Sequence, residues 1–318
     1  MVLSPTLTLM TFQDTFVGGV SDASRSGSQM VGNSVARIGC DHGAAVIDYH
    51  WGGAAGDHRA LFDEQAPSGA RLWVQRPWLQ DGKLFLTATR VTSDAQGFSE
   101  QGMTLARVDN PFAAPEAWHI EYFDLTDQRL TVGKGVVVAA EHVNLFTPYQ
   151  ANMILARIAK PRLLGASIAE SSLEYLKSDG SWAPGLVAAS AKALGLPANT
   201  GLSVRYHAAS RRYLALFTDT SGWPSASIAV SSAEAREGPW TQPSQIYSLP
   251  EMDPQAADYD PDTICYGAAE QEAWNPDPDS KLLFTYTCNS NEFAELLANM
   301  AIYVPRVVKL TNPLAAVP

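Results

Sequence analysis

A repeated strand pattern constrains the fold of this chain more than any other feature. The segment GMTLARVDNP at residues 102–111 returns as NMILARIAKP at residues 152–161. Less exact copies follow at residues 225–233 and 299–307, and the spacings between aligned positions are 50, 73 and 74 residues. The aligned positions of the four copies are Leu105, Leu155, Ile228 and Ile302. A supersecondary unit of this size that recurs along a chain is typical of a repeat architecture.

Each copy follows a pair of strands, and tryptophan motifs follow the first three. These motifs are PEAWHIEY (115–122), DGSWAP (179–184) and EGPWTQP (237–243). A strand–hairpin–strand unit that ends in tryptophan is a sequence pattern typical of a β-propeller blade. With a degraded first unit from residue 28, the count is five, so we predict one five-bladed β-propeller domain over residues 1–318. A β-sandwich is the alternative, but it would show Greek-key patterning without a tryptophan-ended repeat.

Short runs rich in Val, Ile, Leu, Tyr and Phe, bounded by Gly, Pro, Asp and Asn, predict the strands. They lie at 33–38, 44–51, 71–75, 83–91, 135–141, 143–149, 201–207, 212–219, 281–287 and 300–310. Asp81 and Gly82 predict a tight hairpin turn, because both residue types tolerate positive φ. Helix signals are confined to 190–196 and 291–300. We expect the N-terminal strand, LTLMTFQD (7–14), to complete the last blade.

Composition excludes several classes of function. Charged residues make up 17% of the chain and the net charge is −11, which argues against a nucleic-acid partner, since phosphates require clustered Lys and Arg. No segment approaches the ~20 apolar residues that span a bilayer, so we predict no membrane partner. No cluster has zinc-ligand spacing and no dinucleotide or phosphate-loop motif occurs, so we predict neither metal nor cofactor. The start of the chain is a poor signal peptide, although a trimmed chain would still permit export.

The three cysteines do not form a disulfide framework. Cys265 and Cys288 flank what we predict to be neighbouring strands, and they can pair if the protein is secreted. Free, buried cysteines are the favoured interpretation, because cysteine is often buried as a small apolar residue.

Two carboxylates stand close together in CYGAAEQEAW (265–274). Strand alternation places Glu270 and Glu272 on one face, and Tyr266 shares it if the strand is continuous. Hydrolysis of a glycosidic bond requires one carboxyl group that donates a proton and another that stays ionised. Two neighbours on one strand cannot easily flank a sugar ring. We therefore predict Glu270 as the acid and Glu272 as its substitute, with the partner carboxylate on another blade.

Other polar or aromatic residues near predicted strand ends are candidate substrate contacts. They are Asp14, Asn33, Arg76, Trp78, His207, Tyr266, Asn289 and Arg306. Structural roles compete with this interpretation: Asn33 can bond the backbone, Arg76 and Trp78 can form a cation–π or ion-pair strut, and His207 can be a surface turn residue.

Several motifs together resemble a known group. These are QDTFVGGVSD (13–22), DGKLFL (81–86), SVRYHAASRRYLALF (203–217), GPW (238–240) and YVPRVVKL (303–310). They resemble five-bladed propellers related to the domain-of-unknown-function 4185 group, some members of which are endo-D-arabinan hydrolases. The architecture is similar to that of family 43, 62, 68 and 32 glycosidases. By this resemblance Asp22 is the base or a sugar-hydroxyl acceptor. The chain departs from the group at 270–274, where relatives often carry HPE.

The combined expectation is a glycoside hydrolase that acts on a polysaccharide or oligosaccharide, with an arabinan-like substrate implied by the resemblance. Asp22 serves as base and Glu270 as acid. Two alternatives remain: a non-catalytic sugar-binding propeller, and a lyase or isomerase that uses Tyr and His on the same scaffold.

Overall fold

The computed structural model describes residues 1–19, 24–41, 44–54, 56–63, 70–94, 97–198, 201–222, 224–278 and 280–311. Strands dominate the described residues, and the two α-helices are short: α1 (Lys160–Leu163) and α2 (Phe293–Ala298). Neither helix is long and apolar enough to cross a membrane.

Five main sheets follow one another along the chain. The first has the order β1 (Val2–Ser4), β2 (Leu7–Phe12), β5 (Ser34–Asp41), β6 (Ala44–His50). The second contains β9 (Arg71–Val74), β10 (Trp78–Gln80), β11 (Lys83–Asp94), β12 (Gly97–Val108) and β13 (Ile120–Thr126), with β9 and β10 both pairing with β11. The third runs β14 (Gly135–Val138), β15 (His142–Tyr149), β16 (Asn152–Ala159), β17 (Leu173–Leu176), β18 (Trp182–Pro184).

The fourth sheet runs β19 (Leu202–His207), β20 (Arg212–Thr218), β21 (Ser227–Ala233), β22 (Ser244–Ser248). The fifth runs β23 (Thr263–Glu270), β24 (Lys281–Ser290), β25 (Pro305–Thr311). Two small hairpins complete the strands: β3 (Thr15–Gly18) with β4 (Ser28–Val31), and β7 (Gly52–Ala54) with β8 (Asp57–Arg59). The five sequential antiparallel sheets are the blades of a five-bladed β-propeller, which confirms the predicted fold class.

The repeat in the sequence corresponds to equivalent strands. Leu105 lies on β12, Leu155 on β16 and Ile228 on β21, and each of these strands is followed by the outer strands of its own sheet. All three side chains are buried, so the repeat records a core position that successive blades share. The fourth copy differs, because Ile302 precedes β25 rather than lying on it.

The hairpin between β10 and β11 has the predicted turn. Asp81 and Gly82 have φ values of 50° and 74°, and Gln80 pairs with Lys83. Two positive φ values at the central positions match the right-handed twist of the flanking strands.

The chain divides into two compact units. The first contains residues 1–18, 29–147 and 156–191, and the second contains 19–28, 148–155 and 192–318. The first unit has a core that includes Leu9, Phe62, Leu86 and Trp118. The second has a core that includes Leu216, Ile228 and Phe284. The prediction of a single domain over residues 1–318 stays a prediction.

Three local expectations differ from the structure. Residues 7–12 form β2, which pairs with β1 and β5 in the first sheet rather than with β25. The register places Leu9, which is fully buried, in the core of the first unit. Residues 190–196 are not helical; a short 3₁₀ turn ends at Ser190, and Ala191 bridges to Lys177.

The third difference concerns cysteine. Cys265 and Cys288 are directly opposed on β23 and β24 and form a disulfide, so the favoured interpretation of free thiols is wrong for this pair. Strand register brings the two side chains within bonding reach, which the spacing of 23 residues alone does not.

Candidate functional site

One face of the second sheet carries a group of polar and aromatic side chains. Arg71 and Trp73 alternate on β9, so they point to the same side. Arg71 pairs with Val91 of β11, and Val91 pairs in turn with Glu100 of β12. Phe98 lies two residues before Glu100 and therefore shares its face. Four side chains from two separate strands thus project from one surface of the first unit.

The aromatic members of this surface are in contact. The ring centroids of Trp73 and Phe98 lie 5.0 Å apart at a tilted angle. Phe98 is 60% exposed and Trp73 is half-buried. An exposed aromatic pair offers apolar area to a ligand that also carries polar groups.

Asp14 lies against this aromatic pair. The indole Nε1 of Trp73 donates a hydrogen bond of 3.3 Å to Oδ1 of Asp14. Burial raises the pKa of Asp14, and this effect outweighs the bond from Trp73 and the attraction of Arg71, which both lower it. A carboxyl group with a raised pKa keeps its proton to a higher pH, which suits a general acid.

Glu100 has a different environment. Oγ1 of Thr131 donates a hydrogen bond of 3.0 Å to Oε1 of Glu100. Lys134, three residues further along, is close enough for its charge to interact with that of Glu100. Burial lowers the pKa of Lys134, and the attraction to Glu100 opposes this change. Glu100 therefore lies near both a hydroxyl donor and a lysine side chain.

We call Asp14, Trp73, Phe98 and Glu100 the carboxyl–aromatic site. It combines a carboxyl group that favours protonation, a second carboxyl group that has cationic and hydroxyl partners, and exposed rings. All four residues belong to the first unit.

Glu270 lies in the second unit, at the end of β23, and its surroundings are unlike those of Asp14. Its side chain is 3% exposed and ion-paired with Arg205, whose Nη2 and Nε lie 2.7 and 3.1 Å from Oε1. Nη2 of Arg205 also contacts Nδ1 of His207 at 3.1 Å. Because a guanidinium only donates, Nδ1 accepts and Nε2 carries the ring proton. Nε2 lies 3.6 Å from the second carboxylate oxygen of Glu270.

These contacts keep Glu270 ionised. Burial alone would raise its pKa, but the interactions with His207 and Arg205 outweigh burial and lower it. The backbone N–H of Glu270 is also fixed, by a bond of 2.8 Å to Oγ of Ser203. A general acid needs a raised pKa, so the environment of Glu270 argues against its predicted role as the proton donor.

The other two predicted catalytic carboxylates are Glu272 and Asp22. Glu272 lies in a 3₁₀ turn after β23, is 58% exposed, and approaches Arg205 at 3.7 Å. It shares the ion-pair cluster of Glu270 rather than forming a second, independent group. Asp22 lies outside the described residues, and its predicted role as base stays a prediction.

Three predicted contacts in the second unit lie away from Glu270. The amide of Asn289 donates to the hydroxyl of Tyr266 at 3.1 Å, so the structure brings these two half-buried residues together. Tyr266 is four residues before Glu270 on β23, but the strand pairing is irregular between Tyr266 and Ala269, so the continuous strand that would place Tyr266 on the face of Glu270 is absent there. Arg306 pairs with Glu251 at 3.2 Å and donates to the carbonyl of Ala301.

Three other predicted contacts are buried in the protein. Asn33 is fully buried and bonds the backbone of Phe62 and Leu72. Trp78 is 3% exposed and stacks on Phe85, so it cannot offer a face to a sugar. His207 is 1% exposed, hence neither a surface turn residue nor a direct contact for substrate.

Arg76 is half-buried, in the segment between β9 and β10. The burial of Asn33, Trp78 and His207 argues against direct contact with a substrate, and for all four residues substrate contact stays a prediction. Strand-end position alone does not show whether a side chain is enclosed.

Sequence reasoning missed Trp73, Phe98, Glu100, Lys134 and Arg205. Strand alternation could have indicated two pairs. Residues 71 and 73, like residues 98 and 100, are polar or aromatic and stand two positions apart, so each pair shares one face of a strand. Nothing in the sequence connects either pair to Asp14.

Among the described residues, one group could in principle present ligands to a metal: Glu251, Cys265 and Cys288. The two sulfurs are bonded to each other, so they are not available as thiolates, the form that binds metal. The prediction that the protein needs no metal stays a prediction.

Residues 1–312 match the model of a family described as a domain of unknown function, DUF5005. The chain belongs to this DUF5005 family. The match is not to the 4185 group that the motifs resemble, and that resemblance is unconfirmed. No curated protein matches the chain.

Comparison with solved structures finds several that resemble this DUF5005 protein. A protein from Bacteroides ovatus, provisionally described as a hydrolase, is 16% identical with a TM-score of 0.79; the alignment covers 99% of this chain and 85% of that one. An exo-β-1,3-galactanase from Phanerochaete chrysosporium is 10% identical with a TM-score of 0.48, covering 94% and 60%. A glycoside hydrolase family 43 enzyme from Xanthomonas citri is 12% identical with a TM-score of 0.44, covering 98% and 85%. The likeness to the Bacteroides ovatus structure, at 16% identity, is one of fold.

Proposed function

We propose that this DUF5005 protein is a glycoside hydrolase and that the carboxyl–aromatic site performs the reaction. The observation that carries the proposal is the carboxyl group of Asp14, which has a raised pKa and lies against an exposed aromatic pair. The relative from Bacteroides ovatus, provisionally described as a hydrolase, is consistent with this class of reaction.

In this proposal, Trp73 and Phe98 hold one face of a sugar ring by apolar contact. Asp14 then donates its proton to the glycosidic oxygen as the bond from the anomeric carbon to that oxygen breaks. Glu100, which lies near Lys134, either accepts a proton from the attacking water or attacks the anomeric carbon itself. The reaction consumes one water molecule and leaves a new reducing end and a new hydroxyl group.

Glu270 has a supporting role here. The Arg205–Glu270 pair ties β19 to β23, the first strands of two successive blades, through a buried ion pair. Loss of one partner would leave the other charged and buried.

The test is release of reducing ends from a panel of polysaccharides, with arabinan first because the motifs resemble arabinan hydrolases. Wild-type protein should release reducing ends from at least one polymer. Glu100→Gln should reduce the rate by about 10²- to 10⁴-fold, because glutamine is neither a base nor an oxyanion nucleophile.

Glu174→Gln is a matched control, since Glu174 pairs with Arg157 at 2.7 Å, away from the carboxyl–aromatic site. Its rate should equal that of the wild type. A Glu100→Gln protein that is folded and fully active would refute the assignment of Glu100.

A second candidate function is a sugar-binding propeller that does not turn over its ligand. The ion-paired state of Glu270 favours it, because a residue predicted as the acid is held ionised. Binding of a polymer with no reducing ends released, across the whole panel, would select this candidate. Products that absorb as unsaturated sugars would indicate a lyase instead.

A further inference from the structure

A cavity lies in the first unit, next to the carboxyl–aromatic site. Residues 30–32, 58–60, 62–63 and 70–72 line it. Its wall includes Arg71, which shares a strand face with Trp73 and whose charge acts on Asp14. Arg71 therefore belongs both to the cavity wall and to the surroundings of Asp14.

Arg71 is positioned by its aliphatic stem. A Cβ at Gly32 would lie 3.4, 3.7 and 3.8 Å from Cβ, Cγ and Cδ of Arg71. The aliphatic stem of Arg71 therefore lies within van der Waals reach of the Gly32 backbone. Among the described residues, the guanidinium of Arg71 has no ion pair, so its donors are available to a ligand.

His58 contributes a second donor. The indole Nε1 of Trp51 donates to Nδ1 of His58 at 2.9 Å, and the two rings meet edge to face. Because Nδ1 accepts, the proton of the neutral imidazole is on Nε2. The backbone of His58 is held as well, by the amide of Gln29 at 2.7 Å.

Two further charged residues line the cavity. Arg59 pairs with Asp57 at 2.8 Å, and both side chains are more than 60% exposed. Asp63 supplies one carboxylate. The wall therefore carries two guanidinium groups, one imidazole donor and one carboxylate. Because Arg59 is already paired with Asp57, the wall groups left to donate to a ligand are the guanidinium of Arg71 and the imidazole of His58.

We propose that this cavity binds the anionic group of an acidic glycan, either the carboxylate of a uronic acid or a sulfate ester, with Arg71 as the principal contact. This inference rests on the proposed glycoside hydrolase function and names the substrate class of the same site. Guanidinium groups match both oxyanions, because their parallel N–H donors meet two oxygens at once. His58 adds one donor from the side.

The test is calorimetric binding of matched oligosaccharides to the full chain that carries Asp14→Asn, which prevents turnover. The probes are oligogalacturonate, its neutral galactan counterpart, and the sulfated galactan. An anionic probe should bind about 10- to 100-fold more tightly than the neutral one, the range for a hydrogen bond to a charged group. Preference for the uronate or for the sulfate identifies the source of the charge.

Arg71→Gln should abolish this preference and leave affinity for the neutral probe unchanged, while Arg71→Lys restores part of it. Arg59→Gln is the matched control, since Arg59 lines the same cavity but is exposed and already paired. A thermal melt checks that each variant is folded. Equal affinity for the three probes, or equal losses from Arg71→Gln and Arg59→Gln, would overturn the inference.

The two proposals fail in different ways. Arg71-dependent binding without release of reducing ends would reject the hydrolase and keep the anion site. Hydrolysis of neutral polymers by the Arg71→Gln protein at the wild-type rate, with no preference for charge, would keep the hydrolase and reject the anion site.

Discussion

Asp14 and Glu270 are two carboxyl groups that burial affects in the same direction and that end with opposite pKa shifts. Burial is the largest influence on both and raises both pKa values. For Asp14 burial prevails, because its direct partner is an indole N–H and its cationic neighbour Arg71 has the smallest influence. For Glu270 burial is overcome by Arg205 and His207.

The difference lies in the partners. A neutral donor stabilises a carboxylate less than a guanidinium that donates twice to the same oxygen. Burial prevails at Asp14, where the cation has the smallest influence, whereas a directly bonded cation at Glu270 yields an ion pair that supports the fold. Of the two, Asp14 is the better candidate for proton transfer.

The largest expected effect is that of Asp14→Asn on turnover. Asparagine has no proton to donate to the leaving oxygen, so kcat should fall by about 10²- to 10⁴-fold. In the wild type, kcat/KM should decline with rising pH as Asp14 loses its proton, above the ordinary range of an aspartate. Rates on the best substrate of the panel, measured across pH, check both statements. Full activity in Asp14→Asn would remove Asp14 from the mechanism.

Glu270→Gln should act on stability instead. It leaves the guanidinium of Arg205, 13% exposed, without its carboxylate, which should lower the free energy of unfolding by about 3–5 kcal/mol. Urea denaturation measures this change. The double variant with Arg205→Met should recover part of the loss, since it removes the unpaired charge.

Turnover by Glu270→Gln also distinguishes the role of Glu270 from that of Asp14. The folded fraction of Glu270→Gln should turn over substrate at a rate close to that of the wild type. A stable Glu270→Gln protein with no turnover would reverse the roles that we assign to Asp14 and Glu270.

The stability that Glu270 confers should depend on pH. Its pKa in the folded protein is below its ordinary value, so the unfolded chain takes up the proton first as pH falls. The contribution is therefore complete above the ordinary value, about 4.3, and is lost as pH falls through the lower pKa of the folded state. The difference in unfolding free energy between wild type and Glu270→Gln should be constant near pH 7 and shrink below about pH 4. A constant difference down to pH 2 would contradict the lowered pKa.

Trp73→Ala should weaken oligosaccharide binding by about 1 kcal/mol through loss of the aromatic contact. Trp73→Phe keeps a ring but removes the N–H that donates to Asp14. It should leave affinity nearly intact and raise the pKa of Asp14 further, since the bond from Trp73 lowers it. Calorimetry and the pH dependence of kcat/KM separate these two roles.

The smallest effect is expected for Glu272→Gln. Glu272 is 58% exposed and 3.7 Å from Arg205, and exposed ion pairs contribute about 0–1 kcal/mol. Unfolding free energy and turnover should both stay near the wild-type values. A loss as large as that of Glu270→Gln would show that the two glutamates share one function.

Local sequence patterns are enough to predict the blades. Alternation of apolar residues is a local property with a period of two, and turn residues such as Asp81 and Gly82 act within four positions, so strands and hairpins follow from nearby residues. The core position that recurs at Leu105, Leu155 and Ile228 also predicts that these strands form a series of similar blades.

The chemistry of the carboxyl groups depends instead on tertiary contacts. Asp14 meets Trp73 across 59 residues, and Glu270 meets Arg205 across 65. A pKa depends on burial and on which charges lie within a few ångströms, and folding brings both from distant segments. For this reason the sequence singled out Glu270 as a carboxyl group of interest but assigned it the proton-donor role that Asp14 is better placed to perform.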